Sequence, residues 1–198
     1  MARIYARTGV LPPPRRHEMS VLFTDVRDFT ELSQQLEPDE LFQALSEHLA
    51  AQVGLVYAHG GYVDKFAGDG MMAVFDGEDM TLRSCLCALD ILDFSRSRVE
   101  TQGGKINQLG MGIHTGHAMI GNLGSSEHLD YTLVGGTVNL AARLCGVASR
   151  LSIVVSQSVR DALAGDPRVC FSRERRAMMR GFEHPILIYD LSRGIPPH

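Results

Sequence analysis

Tryptophan is absent from the 198 residues, and aromatic side chains make up only 7% of them. No apolar run reaches the roughly 18 residues of a membrane-crossing helix, and the first residues carry arginine and proline instead of an apolar leader segment. Positive charge is short as well: 19 Lys+Arg stand against 23 Asp+Glu, for a net charge of −4. An acidic chain without an aromatic-rich strand has no platform for stacking RNA bases and no broad surface for nucleic acid, although a local basic patch could still hold phosphate. Cysteine is limited to Cys85, Cys87, Cys145 and Cys170, whose spacing lacks the C-x-x-C pairs of zinc ribbons and redox motifs. Free, mostly buried thiols in a reducing, cytoplasmic setting are therefore expected.

What is present is ordinary for a globular protein: 44% hydrophobic and 21% charged residues. At this length one domain should bury roughly 70% of the surface its unfolded chain exposes. Residues 1–16, with the run Pro12-Pro13-Pro14, read as a linker; 17–191 read as the domain and 192–198 as a tail. Met19 to Asp25 reads as a largely buried strand. Pro38 opens a helix with Leu41, Leu45, Leu49, Val53 and Val56 at helical spacing, stopped by Gly60-Gly61. Tyr62–Phe66 and Met71–Phe75 flank Gly68-Asp69-Gly70, a hairpin signal. A second helix, through Leu82, Leu86 and Leu89, ends before Gly103-Gly104. Gln108–His114 reads as a strand, with Ala118–Asn122 as its hairpin partner across Gly116. Strand, helix, hairpin, helix, strand is the split β-α-β order, which gives an α+β fold with a ferredoxin-like βαββαβ core. A helix at Thr137–Ala148, a strand at Ile153–Val155, a short helix at Ser158–Ala164 and strands at Val169–Ser172 and Ile186–Tyr189 form a C-terminal α/β extension.

In that order Asp25 ends the first strand and Asp69 sits in the hairpin turn, so both carboxylates belong to one edge of the sheet. Such a pair suits Mg²⁺, which takes few protein carboxylates and fills its shell with water and phosphate oxygens. Taken singly, each has a plainer explanation: Asp-Gly is a common turn dipeptide, and Asp25 could cap a helix or loop. Asn139 and Arg143 are four residues apart on one helix face, where a solvated polar stripe is the simpler account. Lys65 on a half-buried strand reads most simply as a snorkelling surface lysine, and Thr132 as a strand-forming residue. Gly104-Lys105 is followed by Ile106, so no P-loop exists; His114-x-x-His117 lacks a third metal ligand; Arg173, Arg175, Arg176 and Arg180 read as a solvated basic loop.

Four stretches together carry a family resemblance: Val21–Thr30 (VLFTDVRDFT), Gly60–Phe75 (GGYVDKFAGDGMMAVF), Tyr131–Leu144 (YTLVGGTVNLAARL) and Arg180–Asp190 (RGFEHPILIYD). In this order and spacing the chain resembles the catalytic domain of class III adenylate/guanylate cyclases. The resemblance implies an adenylate cyclase that makes 3′,5′-cyclic AMP and pyrophosphate from ATP with two Mg²⁺ (or Mn²⁺) ions. Asp25, Asp69 and the carbonyl of Val26 would hold the metals. Asn139 would orient the ribose, and Arg143 would neutralise charge on the α-phosphate. Amides around Phe29 and Thr30 match the phosphate-cradling turn, and Arg180 matches a basic position that reaches the triphosphate.

Lys65 and Thr132 match the family's purine-reading positions, and their chemistry favours ATP. A lysine only donates, to adenine N1; a threonine hydroxyl can accept from the 6-amino group; guanine reverses both demands. The resemblance further implies a head-to-tail homodimer with shared sites, the metal aspartates from one chain and Lys65, Thr132, Asn139 and Arg143 from the other. It implies an output domain of a longer parent with an upstream regulator, with a membrane-tethered parent as one arrangement, although this chain carries no membrane segment. A catalytically degenerate nucleotide-binding or dimerisation module and a guanylate cyclase are the alternatives. Asp28 departs from the glycine frequent in relatives and adds a carboxylate beside the phosphate turn.

Overall fold

A strand buried on both faces belongs at the centre of a sheet, and that is where the first apolar run lies. The structure, a computed structural model, describes residues 13–102, 106, 108–124 and 129–194. The linker up to residue 12, the helix stop at Gly103-Gly104 and the tail from residue 195 lie outside the described residues. Strand β1 (Arg15–Val26) begins two residues inside the expected linker, and Met19 to Leu22 are fully buried. It runs antiparallel to β3 (Gly70–Phe75) on one side and to β4 (Leu109–Gly124) on the other. With β2 (Tyr62–Ala67) outside β3, the order β2-β3-β1-β4 is the ferredoxin-like core.

Helices cover the sheet's two faces unequally. Between β1 and β2, α1 (Phe29–Ser33) and α2 (Pro38–Ala58) follow each other, and α3 (Met80–Gln102) connects β3 to β4. The apolar stripes of α2 and α3, through Val56, Leu82, Cys85, Leu89 and Leu92, pack with Leu22, Ala73, Phe75 and Ile113 in the main core. The alternate residues of the same strands, Met19, Val21, Met72 and Val74, face the other way and meet Ala141 of α4 (Gly136–Val147). Period-two alternation therefore sorts one strand set into two cores.

The extension continues the sheet: β6 (Ser152–Ser156) pairs parallel to β4, then α5 (Gln157–Ala162) leads to β7 (Val169–Phe171), β8 (Arg175–Ala177) and β9 (Ile186–Arg193), all on the far edge.

Two expectations change. Gly116 does not turn the chain: β4 runs unbroken past it, with Gly116 opposite Met19, and the hairpin partner is β5 (Leu129–Val134), paired to Met119–Gly124. The glycine serves packing, because a Cβ there would stand 3.0 Å from the Thr137 hydroxyl of α4. The arginine cluster is partly strand: Arg175 and Arg176 lie on β8, and Arg175 donates to Asp190 Oδ1 at 2.6 Å. Cys85, Cys87 and Cys145 are buried free thiols, and Cys170 is exposed. No helix among the described residues is long and apolar enough to cross a membrane.

Candidate active site

The register of β1 against β3 sets Thr24 opposite Met71, so the hairpin turn preceding Met71 lies beside Asp25. Glycine is required for that approach, since a Cβ on Gly70 would fall 1.9 Å from the Thr24 carbonyl oxygen. The Val26 amide donates to Asp69 Oδ2 at 3.0 Å, which fixes the turn to the strand end. Asp25 Oδ2 accepts from Arg27 Nη1 at 2.9 Å. Burial first, and then the neighbouring Asp69 charge, push the Asp25 carboxyl above its ordinary pKa, while Arg27 opposes them.

Two half-buried carboxylates in mutual repulsion, each with one oxygen engaged within the chain, are a donor set that a divalent cation satisfies. Among the described residues no group of three or more His, Cys, Asp or Glu side chains converges. A two-carboxylate set suits a hard ion that brings phosphate and water oxygens with it.

A second group forms on the other face of the hairpin. The β2–β3 ladder pairs Val63 with Ala73 and then Lys65 with Met72, leaving Asp64 as an extra, unpaired residue. Such a bulge inverts the alternation beyond it. Without it, Lys65 would share the face of Val63, which packs against the helix-covered core; with it, Lys65 shares the face of Met72. Asp64 and Lys65 then meet β5: Thr132 Oγ1 donates to Asp64 Oδ2 at 2.8 Å, and Lys65 Nζ lies 3.4 Å from the same oxygen. The Asp64 side chain is 4% exposed and that of Lys65 48%, so a buried carboxylate backs an accessible ammonium. Thr132 itself is buried.

Asn139 and Arg143 occupy one face of α4, both exposed, and neither side chain has a hydrogen-bond or ion-pair partner among the described residues. The helix is brought close to the sheet by Gly112 of β4, where a Cβ would lie 2.0 Å from the Cys145 nitrogen. Phe29 and Thr30 form the first turn of α1, where amides lack helical acceptors. Asp28 before them adopts the left-handed conformation at φ 59°, a conformation that glycine takes without strain. Its carboxylate is bound by Arg150, with Arg150 Nε at 2.8 Å, so the added charge is matched within the chain. Arg180 is exposed in a turn closed by the Phe182 amide on the Met179 carbonyl, and among the described residues no hydrogen bond or ion pair joins it to the aspartates or to Lys65.

Sequence reasoning passed over two residues of this region. Arg27 bridges Asp25 to the carbonyl oxygen of Cys145 at the end of α4, linking the carboxylate pair to the helix of Asn139 and Arg143. Asp64 carries the Lys65–Thr132 pair. The only signal for Asp64 was a charged residue next to Lys65 in a half-buried strand, and it becomes legible only once the bulge is known.

The family model for the adenylate and guanylate cyclase catalytic domain matches residues 11–193. The adenylate cyclase of Anabaena cylindrica is 30% identical over 182 residues, and adenylate cyclase 1 of Rhizobium meliloti is 36% identical over 139 residues. The aligned regions take in 87% and 67% of this chain, but only 36% and 21% of those longer enzymes. Among solved structures, the adenylyl cyclase CyaB from P. aeruginosa superposes with a TM-score of 0.84 at 27% identity, covering 93% of this chain and 98% of that one. The guanylyl cyclase Cya2 superposes equally well, with a TM-score of 0.84 at 29% identity over 94% of this chain and 98% of that one. Overall shape thus does not distinguish the two bases.

Proposed function

The chain belongs to the adenylate and guanylate cyclase catalytic domain family, and on that premise we propose that it converts ATP to 3′,5′-cyclic AMP and pyrophosphate at sites shared between two copies. The observation that carries this is the pairing of Asp25 with Asp69, close enough for one charge to raise the other's pKa. Cyclase domains of this family use divalent metals; Asp25, Asp69 and the Val26 carbonyl would hold two Mg²⁺ or Mn²⁺ ions. Bound there, the ions supply charge neutralisation on the phosphates and acidify the ribose 3′-hydroxyl.

In the reaction the 3′-oxygen forms a bond to the α-phosphorus in line with the departing pyrophosphate, and the proton of the 3′-hydroxyl is lost. Arg143, unengaged in the chain, donates to the α-phosphate as its charge grows, and Asn139 orients the ribose. Amides of Phe29 and Thr30 cradle the β- and γ-phosphates, and Arg180 reaches the triphosphate. Lys65 donates to adenine N1, and Thr132 accepts from the 6-amino group. That both lie against a common carboxylate, Asp64, supports ATP over GTP.

The free state of Asn139 and Arg143 supports their service to a second copy. Exposed apolar side chains, Phe66, Met119, Leu123 and Val134, support a partner surface. Met119 and Val134 are direct cross-strand neighbours, so the exposed patch is continuous there. The greater length of the relatives supports a role as the output domain of a longer signalling protein.

The test is cyclic-nucleotide production from ATP and from GTP, with Mg²⁺ or Mn²⁺, across protein concentrations. Cyclic AMP with specific activity rising as dimers form is expected. A folded dimer silent with every nucleotide and metal favours the non-catalytic binding module, and turnover of GTP alone favours a guanylate cyclase.

A further inference from the structure

A threonine hydroxyl is a poor discriminator of purines on its own, because it both donates one hydrogen and accepts through its lone pairs. Left free to rotate, Thr132 would satisfy the 6-amino group of adenine or the 6-oxo group of guanine. The chain removes that freedom. An ionised carboxylate is acceptor-only, so in the 2.8 Å contact with Asp64 Oδ2 the hydrogen belongs to Thr132. What Thr132 then offers a ligand is lone pairs alone.

The same oxygen stands 3.4 Å from Lys65 Nζ, and the Asp64 side chain is 4% exposed. Burying a carboxylate is tolerated when it is hydrogen-bonded and paired, and Thr132 and Lys65 supply those two contacts. The bulge of β2 makes the arrangement possible, because it leaves Asp64 outside the ladder and turns Lys65 onto the face of Met72. Resting on the cyclase reading above, we propose that Asp64 is a specificity-determining positioning residue: it takes the Thr132 hydrogen and steadies the Lys65 ammonium, so that the pair presents one acceptor and one donor to the purine edge. Adenine fits that pattern with its 6-amino group and N1. Guanine in the same pose sets its 6-oxygen against the Thr132 lone pairs and its N1–H against an ammonium, which leaves two contacts unpaired.

Steady-state kinetics with ATP, GTP and purine riboside triphosphate, which keeps N1 but lacks the 6-amino group, separate this role from a structural one. The wild type should favour ATP over purine riboside triphosphate by roughly tenfold in kcat/KM, the worth of one good hydrogen bond in such a site. D64A should compress both that ratio and the ATP:GTP ratio by roughly tenfold, chiefly through a higher KM for ATP. D64N, which keeps one carbonyl oxygen, should retain part of the preference. In a T132V background D64A should remove little further selectivity for the 6-amino group, because the two residues act as a unit.

Equal losses on all three nucleotides in D64A and D64N, with the ratios intact, would overturn the proposal. So would equal compression with and without Thr132, or a wild type indifferent to the missing 6-amino group; this last needs no variant to fold. A wild type that cyclises no nucleotide sinks the cyclase reading, and this inference with it, which is a different result from altered activity with unaltered ratios.

Discussion

The Asp69 carboxylate accepts the backbone N–H of Val26 at 3.0 Å, so the hairpin turn is locked to β1 at the residue after Asp25. The two acidic side chains are therefore held near each other by main-chain geometry, with Arg27 on Asp25 opposing their repulsion. D69N keeps the shape of the turn while removing one charge. Its cyclase activity should fall at least about a hundredfold, with saturating Mn²⁺ recovering little. Chelation of the wild type should abolish turnover, and added Mg²⁺ or Mn²⁺ should restore it. Circular dichroism on D69N checks that the loss is not unfolding.

Gly70 tests the same contact from the packing side. A methyl group there meets the Thr24 carbonyl at 1.9 Å, and backbone atoms cannot step aside as a side-chain tip can. G70A should lower stability by about 1–3 kcal/mol and shift Asp69 away from Val26. Denaturant unfolding measures the first effect, and a raised metal requirement reports the second.

If Asn139 and Arg143 serve the partner's aspartates, defects on different chains should complement. R143A and D69N alone should each be nearly silent. Mixed in equal amounts and allowed to exchange, they should regain about a quarter of wild-type activity, because half the dimers carry one intact site of two. Failure to complement, with exchange verified by native mass spectrometry, would place the whole site within one chain.

His114 gives a stability prediction away from the site. Burial pushes its pKa down from 6.5 to about 4, and Nδ1 faces the Ser156 and Ser158 hydroxyls at 2.8 and 3.2 Å. The folded chain thus refuses a proton that the unfolded chain accepts below about pH 6.5. Stability is full above that pH and declines as pH falls to about 4, by on the order of 3 kcal/mol from this group. H114Q should flatten that part of the profile, as read by urea midpoints at pH 7 and pH 4.5. Parallel slopes for the two proteins would contradict the assignment.

How much of this was legible beforehand depended on the kind of signal. Local periodicity found the strand ending at Asp25, the helix opened by Pro38 and the hairpin around Asp69, and the split β-α-β order then implied that the two carboxylates meet. Gly116 misled, because a glycine admitted for the approach of Thr137 leaves the same letter as a glycine that turns the chain. Short β8, rich in arginine, had no strand-like composition, since its ladder to β9 supplies the order. Arg27 and Asp64 act through partners more than sixty positions away, Cys145 and Thr132, and no pattern local to either residue encodes such distance.

The single extra residue in β2 also sets a rule for how this hairpin can vary in length. Removing one residue between Val63 and Lys65 would mend the hydrogen-bond ladder, yet it would swing Lys65 toward the helices and away from Thr132. The strand counts in twos, and Lys65 stands beside Asp64 and Thr132 only on the odd count. Changes that preserve parity leave the lysine aimed where it is. Changes that break parity would exchange an accessible ammonium for a buried charge, a fault that no substitution at the lysine itself repairs.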